Sequence, residues 1–315
     1  MEIFRHIEEP KLSASRTVVT LGNFDGVHLG HQALIRHTVE EGKRLGVPSV
    51  VLTFEPHPLK LLAPARAPKL ILLHKDKMRL FQSFGVDIVV IQNFDESFAA
   101  LEAPDFVRSF LVERLRSKKL WVGRDLRFGK GRKGTVEKLV QWGTRYDFEI
   151  GAVEPIVVDQ ERVSSSRIRQ LVEEGRVEEA TPLLGRYHFV SGKVVSGHRR
   201  GRELGFPTAN IASRNEVLPQ DGIYATLLQI GEESLSSVSS VGVNPTFGPA
   251  ARTIESFVLN FDRSIYGESV RLSFVKRIRE EKKFDSVEQL ISQMRGDVTA
   301  AQSIFNQLSF TGSSH

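Results

Sequence analysis

Near residues 184–187 the apolar residues of this chain change their spacing, and the change separates two kinds of fold. Upstream, β-branched apolar runs at 17–21 (TVVTL), 48–54, 86–91 and 120–122 are interleaved with helix-like stretches at 31–45, 75–84 and 106–116. Short buried strands alternating with helices predict an α/β domain with a parallel sheet and crossover helices. Residues 146–158 add one or two strands. Residues 164–174 (SSSRIRQLVEE) open on hydroxyl side chains and pass into helix formers, with Gly175 as a stop before the pattern resumes to Leu184. Downstream, HFVSGKVV, YATLLQI, TIESFVLNF and SVRLSFVKRI alternate in polarity between Gly, Pro, Asn and Asp turns. That texture predicts a small antiparallel β-barrel. Residues 231–240 read as a polar hairpin-like segment without chemistry. Residues 284–295 read as a terminal helix whose Val287, Leu290, Ile291 and Met294 pack on the barrel. The expected domains are 1–184 and 185–315.

Composition narrows the function. A length of 315 residues with 40% apolar content supports two ordinary cores. No run of 18 apolar residues occurs, so no membrane span is expected. The opening MEIFRHIEEP is charged where a secretory leader needs an apolar stretch. Zero cysteines exclude disulfides, thiolate chemistry and cysteine-ligated zinc, and fit a cytoplasmic location. The net charge of +5 is thinly spread, with 28 basic and 25 acidic residues up to Pro182 and 15 and 13 after it. Only 114–138 is visibly basic. Its glycines suit a small anion better than nucleic acid.

The densest chemistry lies in GNFDGVHLGH, residues 22–31, where a strand hands over to a helix. Gly22 and Gly26 let backbone approach a ligand, and Gly30 allows close approach at the helix start. His28 and His31, three residues apart, face one side. A helix N-terminus attracts phosphate, and imidazoles add charge-assisted hydrogen bonds as negative charge shifts in transfer. Gly-Lys-Ser/Thr is absent, so this is not a Walker A loop, and a metal reading lacks an acidic third ligand. Three segments fit beside it. His57 stands stiffly between two prolines. Arg124, Arg127, Lys130, Arg132 and Lys133, among four glycines, read as a flexible anion-binding loop. Ser164, Ser165 and Ser166 can cap a helix while binding phosphate, with Arg169 one turn on.

A second constellation is GHRRGRELGFPTANI, residues 197–211. Gly197, Gly201 and Gly205 let the chain wrap a ligand, and Arg199, Arg200 and Arg202 supply charge. Pro207 fixes a turn beside Thr208 and Asn210, whose oxygens suit a hard cation such as Mg²⁺. In TIESFVLNF, alternation puts Glu255 and Phe257 on one face and Ile254, Ser256 and Val258 on the other. A carboxylate sharing a face with phenylalanine suggests a cleft.

Together GNFDGVHLGH, TFEPHP (53–58), VGRDLRFGKGRKG (122–134), VSSSRIRQLVEEG (163–175), PTAN, Glu255 and IYG (265–267) resemble the bacterial bifunctional riboflavin kinase/FMN adenylyltransferase family over nearly all of the chain. The resemblance implies an N-terminal Rossmann-like nucleotidyltransferase domain and a C-terminal riboflavin kinase barrel closed by a helix. It implies phosphorylation of riboflavin to FMN, then adenylyl transfer from ATP to FMN to give FAD and pyrophosphate, both with Mg²⁺. On it, His28, His31, Ser165 and Arg169 serve adenylyl transfer, with Gly22, Phe24, Gly30, Ser164 and Ser166 near nucleotide or phosphate. Asn23, Asp25, His57, Asp125 and Arg127 hold flavin or nucleotide. Glu255 is the kinase base, Thr208 and Asn210 the magnesium residues, and Gly197, Arg202, Gly205 and Pro207 the barrel's phosphate loop. Two positions depart from the family pattern: Leu126 replaces an aromatic, and Phe257 replaces a histidine two residues after the base. Two alternatives stand beside this reading. One is adenylyl transfer to another phosphorylated small molecule, with a non-catalytic barrel. The other is nucleic-acid binding, disfavoured by the even charge split and the lack of an aromatic stacking series. The expected partners are small molecules, with no membrane and no assigned oligomeric state.

Overall fold

The computed structural model describes residues 1–6, 16–197, 205–243 and 252–311. Contacts divide the chain into two compact units, Met1–Lys69 with His74–Ser164, and Leu70–Leu73 with Ser165–His315. In the first, strands β1 (Glu2–Phe4), β2 (Thr17–Leu21), β3 (Ser49–Glu55), β4 (Ile88–Asn93), β5 (Ser117–Gly123) and β6 (Glu149–Val153) form one sheet in the order β1-β4-β3-β2-β5-β6. Every pairing is parallel, as expected. All five residues of β2 are buried, which explains its unbroken apolar run at the centre of the sheet. The edge strand β1 has only three residues and no period to read.

Helices α1 (Leu29–Leu45), α2 (Pro58–Leu62), α3 (His74–Ser83), α4 (Glu96–Ala99), α5 (Ala103–Phe106) and α6 (Val136–Tyr146) fill the connections. α1 ends on Gly46, whose φ of +65° forms a left-handed cap, after Lys43 and Arg44 in the last turn. The helix expected at 106–116 is α5 continued as a π-helix over Val107–Arg114. There Leu115 N–H bonds the Phe110 carbonyl, and Phe106 and Phe110 stack at 5.3 Å. A two-residue hairpin, β7 (Val157–Val158) and β8 (Glu161–Arg162), ends this unit.

The second unit opens with α7 (Ser165–Glu173) and α8 (Val177–Leu184). β9 (His188–Val195), β10 (Thr208–Ser213), β11 (Gly222–Ile230), β12 (Glu233–Val243), β13 (Arg252–Val258) and β14 (Ser269–Arg279) then close a six-stranded antiparallel barrel. Contacts assign α7 and α8 to this unit because they pack on each other and α8 packs on β9 and β14. The polar segment 231–240 is the turn and most of the second strand of the β11–β12 hairpin, as its hairpin-like texture suggested, and that strand is part of the barrel. Its Ser237 and Ser239 point inward, fully buried, and Thr226 Oγ1 meets their hydroxyls at 2.8 and 2.6 Å. Ser239 donates on to Ser256 at 2.9 Å. Paired hydroxyls cost little inside, so the barrel interior does not read as an apolar stripe there.

The terminal helix α9 (Val287–Thr311) runs well past the expected residue 295, through Gly296. Val287 is 52% exposed, and the anchoring lies further along. Arg279 grips buried Asp297 with two bonds of 2.8 and 2.7 Å, and Ala301 packs with Ala225 and Val275. Leu290 and Met294 instead line a cavity described below.

His188 gives the barrel an acid sensitivity. It is 1% exposed, stacked on Phe274, and its Nε2 has no partner among the described residues. Burial, reinforced by Arg186, lowers its pKa to about 3, against a backbone hydrogen bond at Val217. The unfolded chain protonates this ring near pH 6.5, so stability falls as pH drops from there toward 3, by roughly 1.4 kcal/mol per unit. Lowering the pH from 6.5 to 5 is therefore expected to cost the barrel about 2 kcal/mol through His188. Urea midpoints by far-UV circular dichroism should show a shallower pH slope for His188→Gln, and identical slopes would refute the assignment.

Candidate active sites

The strand order decides where chemistry can gather. β3 and β5 flank β2 on opposite sides, so the carboxyl ends of these three strands meet where the order reverses. That edge is the ligand crevice of open α/β sheets. Asn23, Asp25 and His28 follow β2, His57 follows β3, and Asp125 and Arg127 follow β5. The topology thus brings six of the candidates from sequence to one edge.

Gly22 N–H bonds the Leu52 carbonyl at 3.1 Å before the chain turns through Phe24 (φ +51°), Gly26 (+83°) and Val27 (+42°). Two non-glycine residues in left-handed conformation store roughly 1–3 kcal/mol each. Phe24 is fully buried, its ring edge-on to His31 at 5.2 Å and to Phe81 at 5.6 Å. Its side chain therefore supports His31, and only its backbone is left for a nucleotide. His28 caps α1, its Nδ1 accepting the His31 N–H at 3.4 Å. The two imidazoles stack at 3.6 Å, 17° apart. A Cβ on Gly30 would lie 3.2 Å from the His28 ring, so glycine leaves that ring its place. Burial, then the neighbouring His28 and Lys77, holds the His31 pKa well below its usual value. His31 is a neutral donor near pH 7, so in a bond to a phosphoryl oxygen the charge comes from the phosphate and not from the imidazole.

Asn23 Nδ2 lies 3.3 Å from His57 Nε2, while His57 Nδ1 accepts the Leu59 N–H and caps α2. Asp125 pairs with Arg162 of β8. Burial works to raise the Asp125 pKa, but the Arg162 guanidinium outweighs it and the net shift is downward. Arg127 donates to the Leu126 carbonyl at 3.1 Å, and Leu126 packs on the sheet core. The glycine-rich loop is closed and packed, contrary to the flexible loop expected. Phe128 and Gly134 form a bridge, and a Cβ on Gly129 or Gly134 would come within 2.7 Å of Ala103 or the Phe128 ring. Lys130 and Lys133 lie near Glu102, at 3.8 and 3.9 Å. In the second unit, Ser165 begins α7, and Arg169 Nη1 reaches the Ser166 hydroxyl at 3.5 Å.

Sequence reasoning missed Arg162 and Lys77. Lys77 Nζ stands 3.3 Å from both the Asn23 carbonyl and Thr53 Oγ1. The signal was a lysine on the inner stripe of α3 with buried Met78 and Phe81.

On the barrel, Thr208 and Asn210 lie on strand β10, facing outward while Ala209 and Ile211 fill the core. Thr208 is paired with Phe257 and Asn210 with Glu255, so all four share one outer surface. The alternation read from TIESFVLNF holds: Ile254, Ser256 and Val258 are buried, and Glu255 and Phe257 are not. Thr208 Oγ1 donates to Glu255 Oε2 at 3.2 Å. A cavity of about 500 Å³ lies over this face, with Phe206, Glu255 and Phe257 on one wall and Phe284, Leu290 and Met294 on the other. A second, of about 420 Å³, is lined by Gly197, Pro207, Asn210 and Tyr266. Thr208 lines both. A Cβ on Gly197 would lie 2.2 Å from Asn210 Nδ2. Gly205 has φ +83° and open space around it. Arg199, Arg200, Gly201 and Arg202 lie outside the described residues.

A parallel sheet with paired histidines at its switch point, followed by a closed barrel whose two cavities share a threonine bonded to a glutamate, defines a two-part nucleotide-dependent transferase. Residues 11–167 match the family model for FAD synthetase and residues 184–305 that for riboflavin kinase. The chain belongs to the bifunctional riboflavin kinase/FMN adenylyltransferase family. It is 39% identical to the protein of that name from Escherichia coli (strain K12), over 91% of this chain and 92% of the relative. It is 33% identical to that from Bacillus subtilis (strain 168), over 96% and 98%. A solved Streptococcus pneumoniae structure titled macrolide-efflux protein superposes with a TM-score of 0.86 at 33% identity, over 95% of this chain and 98% of that one. Among the described residues no helix is long and apolar enough to cross a membrane.

Proposed function

We propose that the chain phosphorylates riboflavin to FMN at the barrel and transfers the adenylyl group of ATP to FMN at the sheet edge. Family membership supports both activities. The single observation that carries the kinase assignment is that Thr208, bonded to Glu255, belongs to both cavities. An alcohol in one cavity and a triphosphate in the other would meet at that pair. Glu255 takes the proton of the ribityl 5′-hydroxyl as its oxygen bonds the γ-phosphorus and ADP leaves. The apolar lining of Phe206, Phe257 and Phe284 suits the flat isoalloxazine ring.

For adenylyl transfer the nucleophile is the FMN phosphate, already an anion, so no base is needed. A phosphate oxygen bonds the α-phosphorus and pyrophosphate departs. The protein's work is to hold two anions in line and stabilise the charge that moves between them. His28, from the cap of α1, and neutral His31 are assigned that role. Gly22, Phe24 backbone and Gly30 shape the turn for nucleotide, and Ser164, Ser165, Ser166 and Arg169 hold phosphate. Asn23, Asp25, His57, Asp125 and Arg127 are assigned to flavin or nucleotide, with Arg162 orienting Asp125. Gly197, Arg202, Gly205 and Pro207 are assigned to the barrel's phosphate loop.

Mg²⁺ belongs to the same reading. Thr208 and Asn210 offer hard oxygen donors on one face of β10, and the clearance at Gly197 leaves the Asn210 amide its place. Two protein ligands with phosphates completing the shell is the usual arrangement for this ion, which neutralises charge on the triphosphate. We keep residues 1–184 and 185–315 as the functional domains. Small molecules are the partners and the cytoplasm the location in this proposal. Purified protein with riboflavin, ATP and Mg²⁺ is expected to yield FMN and then FAD by chromatography. Recovery of unchanged riboflavin, with FMN also left unconverted when supplied, would overturn the reading.

A further inference from the structure

We propose that Lys77 is a positioning residue for adenylyl transfer, clamping the strained turn that carries His28 and His31 by a three-way contact with the Asn23 carbonyl and Thr53 Oγ1. The inference rests on the adenylyltransferase reading above and deepens it. The turn holds Phe24 and Val27 at positive φ, and such strain persists only where surrounding groups over-determine it. The Asn23 carbonyl is where the restraint converges. It receives Lys77 Nζ at 3.3 Å and the Thr53 hydroxyl at 3.3 Å, while Nζ also reaches that hydroxyl at 3.3 Å. Each contact is long, but the three form a closed triangle between α3, β3 and the turn. The clamp therefore ties the histidine turn to two rigid elements of the same unit.

The setting accounts for a charged lysine at a buried position. Burial pulls the Lys77 pKa down, and Asp25 from the turn and Glu55 from the end of β3 pull it back up. The two carboxylates favour the ammonium that burial opposes. Glu55 is shared, its Oε2 standing 3.0 Å from His74 Nδ1. The His74 pKa is lowered, first by burial, with Glu55 opposing and Lys77 and Arg5 adding to the fall. The Lys77 charge also discourages protonation of His31, acting beside burial and His28. Lys77 thus fixes the geometry of the histidine pair and helps keep one member neutral.

The test uses the full chain with Lys77→Met and Lys77→Arg. For Lys77→Met, FAD formation from supplied FMN is expected to lose about 10–100-fold in kcat with KM for FMN little changed, since misplaced groups act on the transition state. Its activity should also fall off at a higher pH on the acid side, because His31 protonates more readily. Titration of the histidine ring signals by NMR, with His31→Asn to assign them, should show the His31 pKa raised in Lys77→Met and unmoved in Lys77→Arg. Riboflavin phosphorylation, read in the same preparations, reports the barrel. A loss confined to adenylyl transfer together with the His31 shift supports the clamp. An unmoved His31 titration, or equal loss of both activities, overturns it. The titration needs no turnover, so a wild-type protein unable to make FAD would refute the function while leaving Lys77 still tested.

Discussion

Glu255→Gln is expected to slow riboflavin phosphorylation by about 10²–10⁴-fold while FMN adenylylation stays within about twofold. The substitution keeps the shape of the side chain, and a glutamine oxygen can still accept the Thr208 hydroxyl now bonded at 3.2 Å. What it removes is the ability to take a proton from an alcohol, which would otherwise have to become an alkoxide unaided. Phe257, standing where the family carries histidine, offers no second base on that face. Glu281 lines the same cavity and its pKa is raised, first by burial and then by Asp221. We nevertheless assign the base to Glu255, because it bonds Thr208, which among the described residues is the one common to both cavities. Asp297 is excluded, since Arg279 occupies both of its oxygens. Separate assays of FMN from riboflavin and FAD from FMN measure the two effects. A parallel fall in both would contradict independent sites, and a variant as fast as wild type in both would remove Glu255 from the mechanism.

The contrast between the two barrel faces shows what a single sequence can and cannot disclose. Glu255 and Phe257 were placed correctly by alternation alone, because β13 is flanked on both sides and its period of two is strict. β12 was read only as part of a polar hairpin because its inward positions are serines satisfied by Thr226 and Ser256 on the neighbouring strands, and hydrophobicity cannot register a hydroxyl network. α9 was read only as far as residue 295, where its run of Val287, Leu290, Ile291 and Met294 ends. The helix continues since Asp297 is held by Arg279. In the sheet, β2, α1, β3 and β4 were legible from their buried runs. The short edge strand β1 and the π-helical stretch were not, since neither has a period that differs from its surroundings.

The site residues divide in the same way. Those in glycine-dense segments could be named in advance, because glycine marks places where backbone must come close to something. Lys77 and Arg162 act from regular elements, through contacts with residues distant in sequence; the inner stripe of α3 is the one local sign of Lys77, and Arg162 has none. The loop at 122–134 shows the converse risk. Four glycines suggested freedom, whereas two of them exist to let Ala103 and the Phe128 ring pack against the chain. A closed loop presents Asp125 and Arg127 at fixed positions, which suits a binding edge better than a mobile one.

His28→Ala is expected to lower FAD formation from supplied FMN by ~10²–10³-fold, the loss typical of removing one preorganised donor to a transition state. Two effects combine. The ring of His28 disappears from the crevice, and α1 loses its cap, because the His31 N–H is left without the Nδ1 acceptor at 3.4 Å. The stacked partner at 3.6 Å also goes, freeing the His31 ring to move. His28→Asn separates these contributions. Asparagine is a strong N-cap, so it should restore thermal stability while leaving adenylyl transfer slow. Riboflavin phosphorylation should continue in both variants, since the barrel holds its own base. Recovery of adenylyl transfer in His28→Asn to within about threefold of wild type would mean that His28 only starts the helix, and that the imidazole does not meet the phosphoryl group in transit.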